Sequence, residues 1–402
     1  MKSEWKTSPL RDLVGFISKG IAPSYADEES ETTVRVLNQK CNRNFRITYS
    51  ESRLHDLSRK KVPTERFVRI DDILINSTGA GTAGRIAQIC NLPCDTIVDG
   101  HMIIIRANNK VSQKYLGYAM KAHQWEVLQL DEGSTGQTEL NRERLLDEIM
   151  ISYPTSFALQ EMIVKTLEGI DRKLLINEKV NDNLQQQAEL LYHERFETAD
   201  RSNLPVGWRI VRLGDVATIS KKSFNPAKEP EMLLEHYSIP AFDEAHFPVF
   251  ELSTAIKSNK FVVDNTCFMI SKLNPTTKRV WKPYCLTENA VCSTEFIVYK
   301  ANRQEITDFL YSVIDSSSFS DFMCSHVTGS TGSRPRTTPS DTLAFELILP
   351  TAEEIAEYQG IVSPMFEQIK CNAIENDELK RLRDSLLPKL MSGEIDVSSI
   401  QL

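Results

Sequence analysis

Basic and amide side chains alternate near the beginning of the chain in a pattern that suits nucleic-acid binding. This first basic segment contains Lys40, Asn42, Arg43, Asn44 and Arg46. Such side chains bind phosphate, and Arg can also pair with the edge of guanine and Asn with that of adenine. Residues 40–69 hold nine Lys or Arg against three acids, a local charge of +6. An ordinary solvated strand or loop would account for the same residues equally well.

A glycine-rich segment, Gly79-Ala80-Gly81-Thr82-Ala83-Gly84, follows a predicted strand. The pattern GxGxxG, with Asp99 further on, could bind a dinucleotide or a methyl donor only if a helix began at the third glycine. Arg85–Ile89 favours a strand instead, so we expect a loop between strands and no cofactor. Glycine lets backbone amides approach a phosphate closely. The expected DNA contacts here are Ser77, Thr78, Gly79, Gly81, Thr82 and Arg85.

The motif Gly133-Ser134-Thr135-Gly136 recurs in the second half as Gly329-Ser330-Thr331-Gly332. Neither copy is followed by the Lys that a nucleotide-binding P-loop requires. Its presence in both halves favours a shared role, either in turn geometry or in backbone contact with DNA. The side chains expected to take part are Ser134, Thr135, Gln137, Ser330, Thr331, Ser333, Arg334 and Arg336.

A second basic segment, residues 272–282, carries four basic residues and no acid. Its members with DNA-binding chemistry are Lys272, Asn274, Thr277, Lys278, Arg279 and Lys282. Three or four good base contacts in each half of the chain, at about 1–3 kcal/mol apiece, would suffice for a specific site.

Signatures of catalysis and metal binding are missing from the sequence. There is no Asn/Asp-Pro-Pro-aromatic element of an amino-methyltransferase, and the seven His residues are scattered. Cys90 with Cys94, and Cys285 with Cys292, lack matching ligands at zinc spacing, so we expect no metal. We also expect no catalytic residue, no cofactor and no membrane span, and cytoplasmic, reduced thiols, because the start Met1–Trp5 is not secretory.

Two long helices are needed to hold these segments apart. Apolar and Asn positions spaced alternately by four and three residues predict the seam of a coiled coil. The first seam is Ile163, Leu167, Ile170, Leu174, Asn177, Asn181, Leu184, Ala188 and Leu191. The second is Val362, Phe366, Ile369, Ala373 and Asn376, continued after a one-residue slip by Leu379, Leu382, Leu386 and Leu390.

The ends and the charge of these helices add detail. Thr351 and Glu354 predict a capping box at the start of the second helix. Pro364 should remove a hydrogen bond and kink or break that helix. Residues 156–200 and residues 353–384 each carry a charge of −4, which together equals the net charge of −8. The remainder of the chain is neutral, so the acidic total does not exclude a polyanionic partner.

An internal repeat of roughly 200 residues decides the architecture. Besides the GSTG motif, Pro154-Thr155 recurs as Pro350-Thr351, and Met102–Ala107 matches Phe296–Ala301. We therefore predict an α+β fold in which two α/β domains are separated by an antiparallel coiled coil, an internal pseudo-twofold repeat with a domain at each end of a rod. The predicted boundaries are 1–155 for the first domain, 156–197 for its helix, 198–207 for a linker, 208–350 for the second domain, 351–392 for its helix and 393–402 for the tail.

The chain resembles the specificity subunit of type I restriction-modification enzymes along nearly its whole length. The run Leu382–Ile395 is similar to that family's C-terminal signature, and Trp208–Val216 resembles its domain-opening phrase. Asp72–Gly79, continuing to Gly84-Arg85, is similar to a recurrent loop of its recognition domains. The resemblance implies a non-catalytic protein that selects double-stranded DNA for other subunits to modify or cut.

In such a protein each domain, a target-recognition domain, reads one half of a split site, and the helices set the unread spacer. The resemblance also implies two methyltransferase subunits docked against the helices, with motor-nuclease subunits able to join. We then expect Arg334→Ala and Arg279→Ala to weaken one half-site only. The alternatives are a stand-alone methyltransferase or restriction component with its own cofactor site, and a coiled-coil scaffold that binds no DNA.

Overall fold

The computed structural model describes residues 4–79, 81–132, 139–328 and 334–397. The chain divides into two compact units. Unit 1 comprises Met1–Arg172 together with Lys380–Leu402, and unit 2 comprises Lys173–Leu379. Unit 1 is thus assembled from two distant stretches of sequence, whereas unit 2 is continuous.

Unit 1 contains two four-stranded sheets. Its strands are β1 (Trp5–Pro9), β2 (Val14–Lys19), β3 (Tyr25–Ala26), β4 (Thr33–Leu37), β5 (Asn42–Arg43), β6 (Arg46–Ile47), β7 (Arg53–Asp56), β8 (Ile73–Asn76), β9 (Ile86–Gln88), β10 (Thr96–Val98), β11 (Met102–Ala107), β12 (Asp131–Glu132), β13 (Glu139–Leu140) and β14 (Met150–Pro154). Its helices are α1 (Gln113–Ala122), α2 (Gln124–Val127), α3 (Arg142–Glu148) and the first part of α4 (Phe157–Tyr192). The sheets have the orders β2-β11-β8-β9 and β10-β4-β7-β3.

Unit 2 repeats this topology. Its strands are β15 (Arg209–Arg212), β16 (Ala217–Ser220), β17 (Ser223–Phe224), β18 (Leu233–Tyr237), β19 (Val249–Leu252), β20 (Lys260–Val262), β21 (Cys267–Ser271), β22 (Val280–Trp281), β23 (Ala290–Ser293), β24 (Phe296–Ala301), β25 (Val327–Thr328), β26 (Arg336–Thr337) and β27 (Glu346–Leu349). Its helices are the rest of α4, α5 (Leu213–Val216), α6 (Ile239–Ala245), α7 (Thr307–Asp315), α8 (Ser317–Ser325) and most of α9 (Ala352–Met391). The larger sheets have the orders β16-β24-β21-β22 and β17-β20-β23-β18-β19.

The predicted internal repeat is visible in the strand pairing. The order β2-β11-β8-β9 in unit 1 corresponds to β16-β24-β21-β22 in unit 2. In each unit the first and last strands pair antiparallel, β1 with β14 and β15 with β27, and one parallel pair occurs, β10 with β4 and β23 with β18. The predicted α+β fold with a repeated domain and two long helices is confirmed.

Within unit 1, the beginning of α4 and the end of α9 share one core with the sheets. Ile163 and Leu167 of α4 are buried in the same cluster as Leu387, Leu390 and Met391 of α9. The predicted continuation of the second seam was partly wrong, because Leu382 is 47% exposed and Leu387, not Leu386, is the more deeply buried.

Within unit 2, α4 and α9 run antiparallel and meet through polar side chains. The side chain of Asn177 donates to that of Asn376 at 2.9 Å. The side chain of Asn372 donates to that of Asn181 at 2.8 Å. Further along, the hydroxyl of Tyr358 donates to the carbonyl of Ala188 at 3.4 Å. All nine positions of the first predicted seam are buried or half-buried, which confirms that seam.

The expected break at Pro364 does not occur, since α9 is one helix of 40 residues. Pro364 has no N–H to donate to the carbonyl of Gly360, four residues earlier in the helix. On either side of Pro364 the buried Val362 and Phe366 pack into the core of unit 2. We infer that this packing offsets the loss of one helical hydrogen bond.

Candidate nucleic-acid interface

The first basic segment forms a tight hairpin in unit 1. Arg43 pairs with Arg46 across β5 and β6, and the two residues between them have positive φ, 51° at Asn44 and 60° at Phe45. Two consecutive positive φ values are typical of a type I′ turn, which Asn favours and a bulky aromatic residue does not. Arg43 and Asn44 are exposed, as is Lys40 in the short turn before β5. These three side chains are therefore accessible to a ligand.

Asn42 requires a correction, because its side chain is completely buried. Its amide nitrogen donates to the Asn76 side chain at 3.1 Å and to the Arg85 carbonyl at 2.9 Å. Asn42 thus holds the hairpin against β8 instead of offering an amide to DNA. Ser77, also predicted as a contact, is equally buried.

The glycine-rich segment forms the loop between β8 and β9. Gly79, Gly81 and Gly84 all have positive φ, and a Cβ at Gly84 would lie 2.9 Å from the carbonyl of Val127. A Cβ at Gly81 would meet nothing within 4 Å, so the backbone faces open space there. The half-buried Arg85 donates to the carbonyl of Gly81 at 3.3 Å. The third glycine leads into a strand, not the helix that dinucleotide binding requires.

The threonine side chains of this loop form hydrogen bonds with neighbouring groups. The Thr78 hydroxyl lies 2.7 Å from Nδ1 of His101. The Thr82 hydroxyl donates to the Gly79 carbonyl at 3.3 Å. These bonds fix the loop while leaving the backbone around Gly81 exposed. Such a surface suits phosphate, which accepts hydrogen bonds from backbone amides.

The three predicted segments of unit 1 converge on the end of β8. Asn76 donates from its side chain to the carbonyl of Gln39, just before the hairpin, at 3.1 Å. Thr78 forms an isolated antiparallel bridge with Glu139, and Leu140 donates to the carbonyl of Ser77 at 2.8 Å. β12 and β13, which flank the first GSTG motif in the sequence, therefore lie beside the end of β8. The predicted contacts Ser134, Thr135 and Gln137 lie outside the described residues.

Unit 2 builds the equivalent place in the same way. Leu273 forms an isolated antiparallel bridge with Arg336, and Thr337 donates to the carbonyl of Lys272 at 3.1 Å. Thus β25 and β26, which flank the second GSTG motif in the sequence, lie beside the end of β21, as β12 and β13 lie beside β8. The predicted contacts Ser330, Thr331 and Ser333 lie outside the described residues.

Three cations surround one carboxylate at this place in unit 2. Arg336 donates to both carboxylate oxygens of Glu295 at 3.0 Å. These bonds from Arg336, followed by the charges of Arg336, Lys272 and Arg334, lower the pKa of Glu295. Arg334 is exposed, and its φ is 61°. With three positive charges against one negative, the cluster retains a net positive charge that suits a phosphate or a base edge.

Part of the second basic segment is structural, which corrects the predictions for three residues. Arg279 makes a two-point ion pair with Asp243 at 2.6 and 2.8 Å and is only 12% exposed. Lys278 binds Glu189 at 3.1 Å and the Asp315 carboxylate at 3.2 Å. Lys282 pairs with a carboxylate of α7 and lies 5.6 Å from the centre of an aromatic ring of α9.

The remaining members of that segment lie close to the GSTG flank. The backbone of Asn274 donates to the carbonyl of Pro335 at 2.9 Å, and that of Thr277 donates to Asn274 at 2.8 Å. Thr277 is exposed and Asn274 is half-buried. Lys272, Asn274 and Arg334 are therefore brought together, whereas Lys278, Arg279 and Lys282 are engaged elsewhere.

Sequence reasoning missed the residues that position the cations. Glu295 was not singled out, although it directly precedes a predicted strand and its carbonyl accepts from the backbone of Lys272 at 2.9 Å. Gln39 and His101, which hold the glycine-rich loop, were missed as well. Pairing the ends of the predicted strands would have pointed to Glu295. Nothing in the sequence marks the other two.

Metal-binding groups of three or more His, Cys, Asp or Glu are absent from the described residues. Within that same part of the chain, none of the helices combines the length and the apolar character needed to cross a membrane. All eight cysteines are free thiols.

Comparison with known proteins shows which proteins this chain resembles. Residues 2–186 match the type I restriction modification DNA specificity domain. The chain is 24% identical over 433 residues to the specificity subunit of the type I restriction enzyme MjaIX from Methanocaldococcus jannaschii, covering 99% of this chain and 95% of that protein. It is 34% identical over 92 residues to the HindI specificity subunit from Haemophilus influenzae, which is 23% of this chain and 20% of that one.

The fold agrees with these relatives. The crystal structure of the type I restriction-modification S subunit from M. genitalium matches with a TM-score of 0.58 at 13% identity, covering 97% of this chain and 96% of that one. The same two-unit fold is thus kept where little sequence identity remains. Residues 2–186 thus resemble a type I restriction modification DNA specificity domain, and nearly the whole chain is similar to a specificity subunit.

Proposed function

We propose that this chain is the DNA-recognition subunit of a type I restriction-modification complex, in which units 1 and 2 each read one half of a bipartite site. One observation carries the proposal. In both units the strand pair that flanks the GSTG motif in the sequence, β12–β13 or β25–β26, pairs with the residues that follow the third strand of the antiparallel sheet, β8 or β21. Basic side chains border this place in each unit.

The sites at the ends of β8 and β21 differ in their charged residues. Such a difference is expected if the two units read different half-sites. At the bridge, unit 1 has Glu139, ion-paired with Lys19, whereas unit 2 has Arg336, ion-paired with Glu295. Identical surfaces would favour identical half-sites. We infer that exposed cations anchor the phosphates. The turn between β5 and β6 in unit 1 and the cation cluster around Glu295 in unit 2 contact base edges in the major groove.

The subunit acts through partners and not by catalysis of its own. The helices α4 and α9 set the number of base pairs between the half-sites and provide the docking faces for two methyltransferase subunits. Motor-nuclease subunits join that assembly. No catalytic residue is assigned to this chain.

Co-expression with its methyltransferase tests the proposal. Mapping of methylated bases across a host genome should show a single split sequence with a fixed gap. The purified complex should bind that duplex with an affinity that falls steeply with salt. Methyl transfer by this chain alone would favour a stand-alone methyltransferase, and an absence of DNA binding by the complex would favour a scaffold.

A further inference from the structure

Trp125 is an unusually exposed aromatic residue of unit 1. It lies in the short helix α2 and is 74% exposed. Trp side chains are highly buried on average, since hiding them from water is favourable. Its neighbours Gln124 and Glu126 are polar. A single exposed ring in polar surroundings differs from the contiguous apolar patches that mark protein interfaces.

The helix that carries Trp125 is attached to the glycine-rich loop. The Gln124 side chain donates to the carbonyl of Gly84 at 2.8 Å and accepts from the backbone of Ile86 at 2.8 Å. The carbonyl of Val127 lies against Gly84, too close for a Cβ at that position. These contacts hold α2 rigidly, so the ring is presented from a fixed backbone.

The other two candidate segments contact residues on either side of this helix. Before α2, the ammonium of Lys121 lies 4.9 Å from the ring centre of Phe45, which is in the turn of the basic hairpin. After α2, the backbone of Asn141 donates to the carbonyl of Leu130, directly before β12 and the GSTG motif. Trp125 therefore lies on a helix that binds the glycine-rich loop, and the residues before and after that helix contact the basic hairpin and the flank of the GSTG motif.

The charges around this element favour DNA. The hairpin presents Arg43, which is exposed. The nearest acid along the chain, Glu126, lies 2.9 Å from Nδ1 of His123, and Glu132 lies 3.4 Å from Arg144. Glu126 and Glu132 are therefore both partnered, and the hairpin that contacts Lys121 presents an exposed cation. Exposed aromatic rings in such surroundings stack on bases or enter a base step as a wedge.

We propose that Trp125 contacts the bases of the half-site bound by unit 1, by stacking on a base or by wedging into a base step. The proposal rests on the proposed function and adds a contact that reads the deformability of the duplex instead of its hydrogen-bonding edges. At the spacing of 195 residues that relates Ser77 to Lys272, unit 2 has Ser320 in α8. Only one half-site receives the ring.

Three variants of the full chain, assembled with its methyltransferase, test this contact. Trp125→Ala removes the ring, Trp125→Phe keeps an aromatic face, and Val206→Ser removes the other strongly exposed apolar side chain, which is 99% exposed. We expect Trp125→Ala to weaken binding to the mapped duplex on the order of ten-fold. Trp125→Phe should restore most of the affinity, and Val206→Ser should leave it unchanged.

A fluorescent base analogue identifies the contact directly. 2-Aminopurine is placed at successive positions of the unit 1 half-site, and its emission is compared between the wild-type and Trp125→Ala complexes. A difference confined to one or two adjacent positions supports the proposal. Unchanged affinity and unchanged emission in Trp125→Ala overturn it while leaving the proposed function intact.

Assembly without DNA separates the remaining explanations. If Trp125→Ala fails to form the complex with the methyltransferase in size-exclusion chromatography, the ring belongs to a protein interface and the proposal is wrong. If the wild-type complex itself shows no sequence-specific binding, both the proposed function and this inference fall. A melting temperature equal to that of the wild type checks that the substitution at so exposed a position leaves the fold unchanged.

Discussion

Asn177 of α4 donates its side-chain amide to Asn376 of α9 across a distance of 2.9 Å, and both residues are more than 90% buried. In the neighbouring pair, Asn372 donates to Asn181. The internal repeat relates the two pairs, because a shift of 195 residues takes Asn177 to Asn372 and Asn181 to Asn376. The internal repeat therefore extends into the polar layer of the helix pair. Buried Asn pairs penalise a wrong register at some cost in stability.

Replacing one member of this pair should cost more than replacing both. We expect Asn376→Leu to lower the free energy of unfolding by about 1–3 kcal/mol, because it removes an acceptor of the buried Asn177 amide. The double variant with Asn177→Leu should recover much of that loss, since neither buried amide remains. Denaturant unfolding of the four proteins of the cycle measures the coupling. Asn183→Ala, on the exposed face of α4, is the control; a coupling near zero would contradict the expectation.

Arg334→Ala should weaken binding through unit 2 only. The exposed guanidinium adds to the positive charge around Glu295, so its loss should reduce the slope of affinity against salt by about one. Duplexes with one half-site scrambled at a time identify which half is affected. Arg279→Ala is the matched control, because its ion pair with Asp243 is structural: it should lower the melting temperature and leave the salt slope unchanged.

Asn44→Gly separates base recognition from turn geometry. Glycine accepts the positive φ of 51° without strain and removes only the amide. We expect unchanged stability and a loss of about 1–3 kcal/mol of discrimination at one base pair of the unit 1 half-site. Binding to single-base variants of the mapped site measures this. If discrimination is retained at every position, Asn44 serves the turn alone.

Acidification should remove a small contribution of the Asp264 carboxylate to the stability of the fold. Burial raises the pKa of this carboxyl, but hydrogen bonds from Lys300 and Thr266 outweigh that effect and lower the pKa to about 2. A depressed pKa stabilises the fold above the unfolded value of 3.8 and ceases to do so as the pH falls through about 2. Asp264→Asn should therefore be less stable than the wild type at pH 7 by under about 1 kcal/mol, because both side chains are partly exposed. The difference should shrink between pH 4 and pH 2; a difference that grows on acidification has the wrong sign.

Lengthening both helices should change the spacer and not the half-sites. A heptad inserted after Leu184 of α4 needs a matching heptad in the facing part of α9, because the two helices are antiparallel in unit 2. Seven residues add about 10 Å, which corresponds to about three base pairs. Methylation mapping of the variant should show the same half-sites with a wider gap. An unchanged gap would remove the spacer role from the helices.

The periodic parts of the structure could be predicted from sequence, whereas long-range ion pairs could not. The first seam is buried as expected, because a spacing of four and three residues is itself the condition for one helix face to be covered. The second seam was shifted near its end, where apolar residues at consecutive positions such as Leu386 and Leu387 offer two registers. Arg279 illustrates the other limit: its partner Asp243 lies 36 residues away in α6, and no local pattern indicates that pairing.

The exposure of the predicted DNA contacts depends on the same distinction. Arg43 and Asn44 are exposed because the hairpin is a local structure that their own sequence produces. Asn42, one residue earlier, points inward because β5 lies beside β8, a contact made by residues 34 positions further along. Composition singled out the segment, but only the tertiary fold determines which of its side chains face outward.

The division of unit 1 between two stretches of chain has a consequence for its biosynthesis. Leu387, Leu390, Met391 and Val397 complete a core whose other buried members lie before residue 173, and a Cβ at Gly393 would lie 2.6 Å from the Trp5 ring. During synthesis, the amino-terminal part of unit 1 therefore cannot complete its core until the end of α9 has emerged from the ribosome. Part of its apolar surface remains exposed until then. Unit 2 is a single stretch of chain and can fold before unit 1 is complete. We therefore expect the amino-terminal part of unit 1 to need chaperone protection for longer than unit 2.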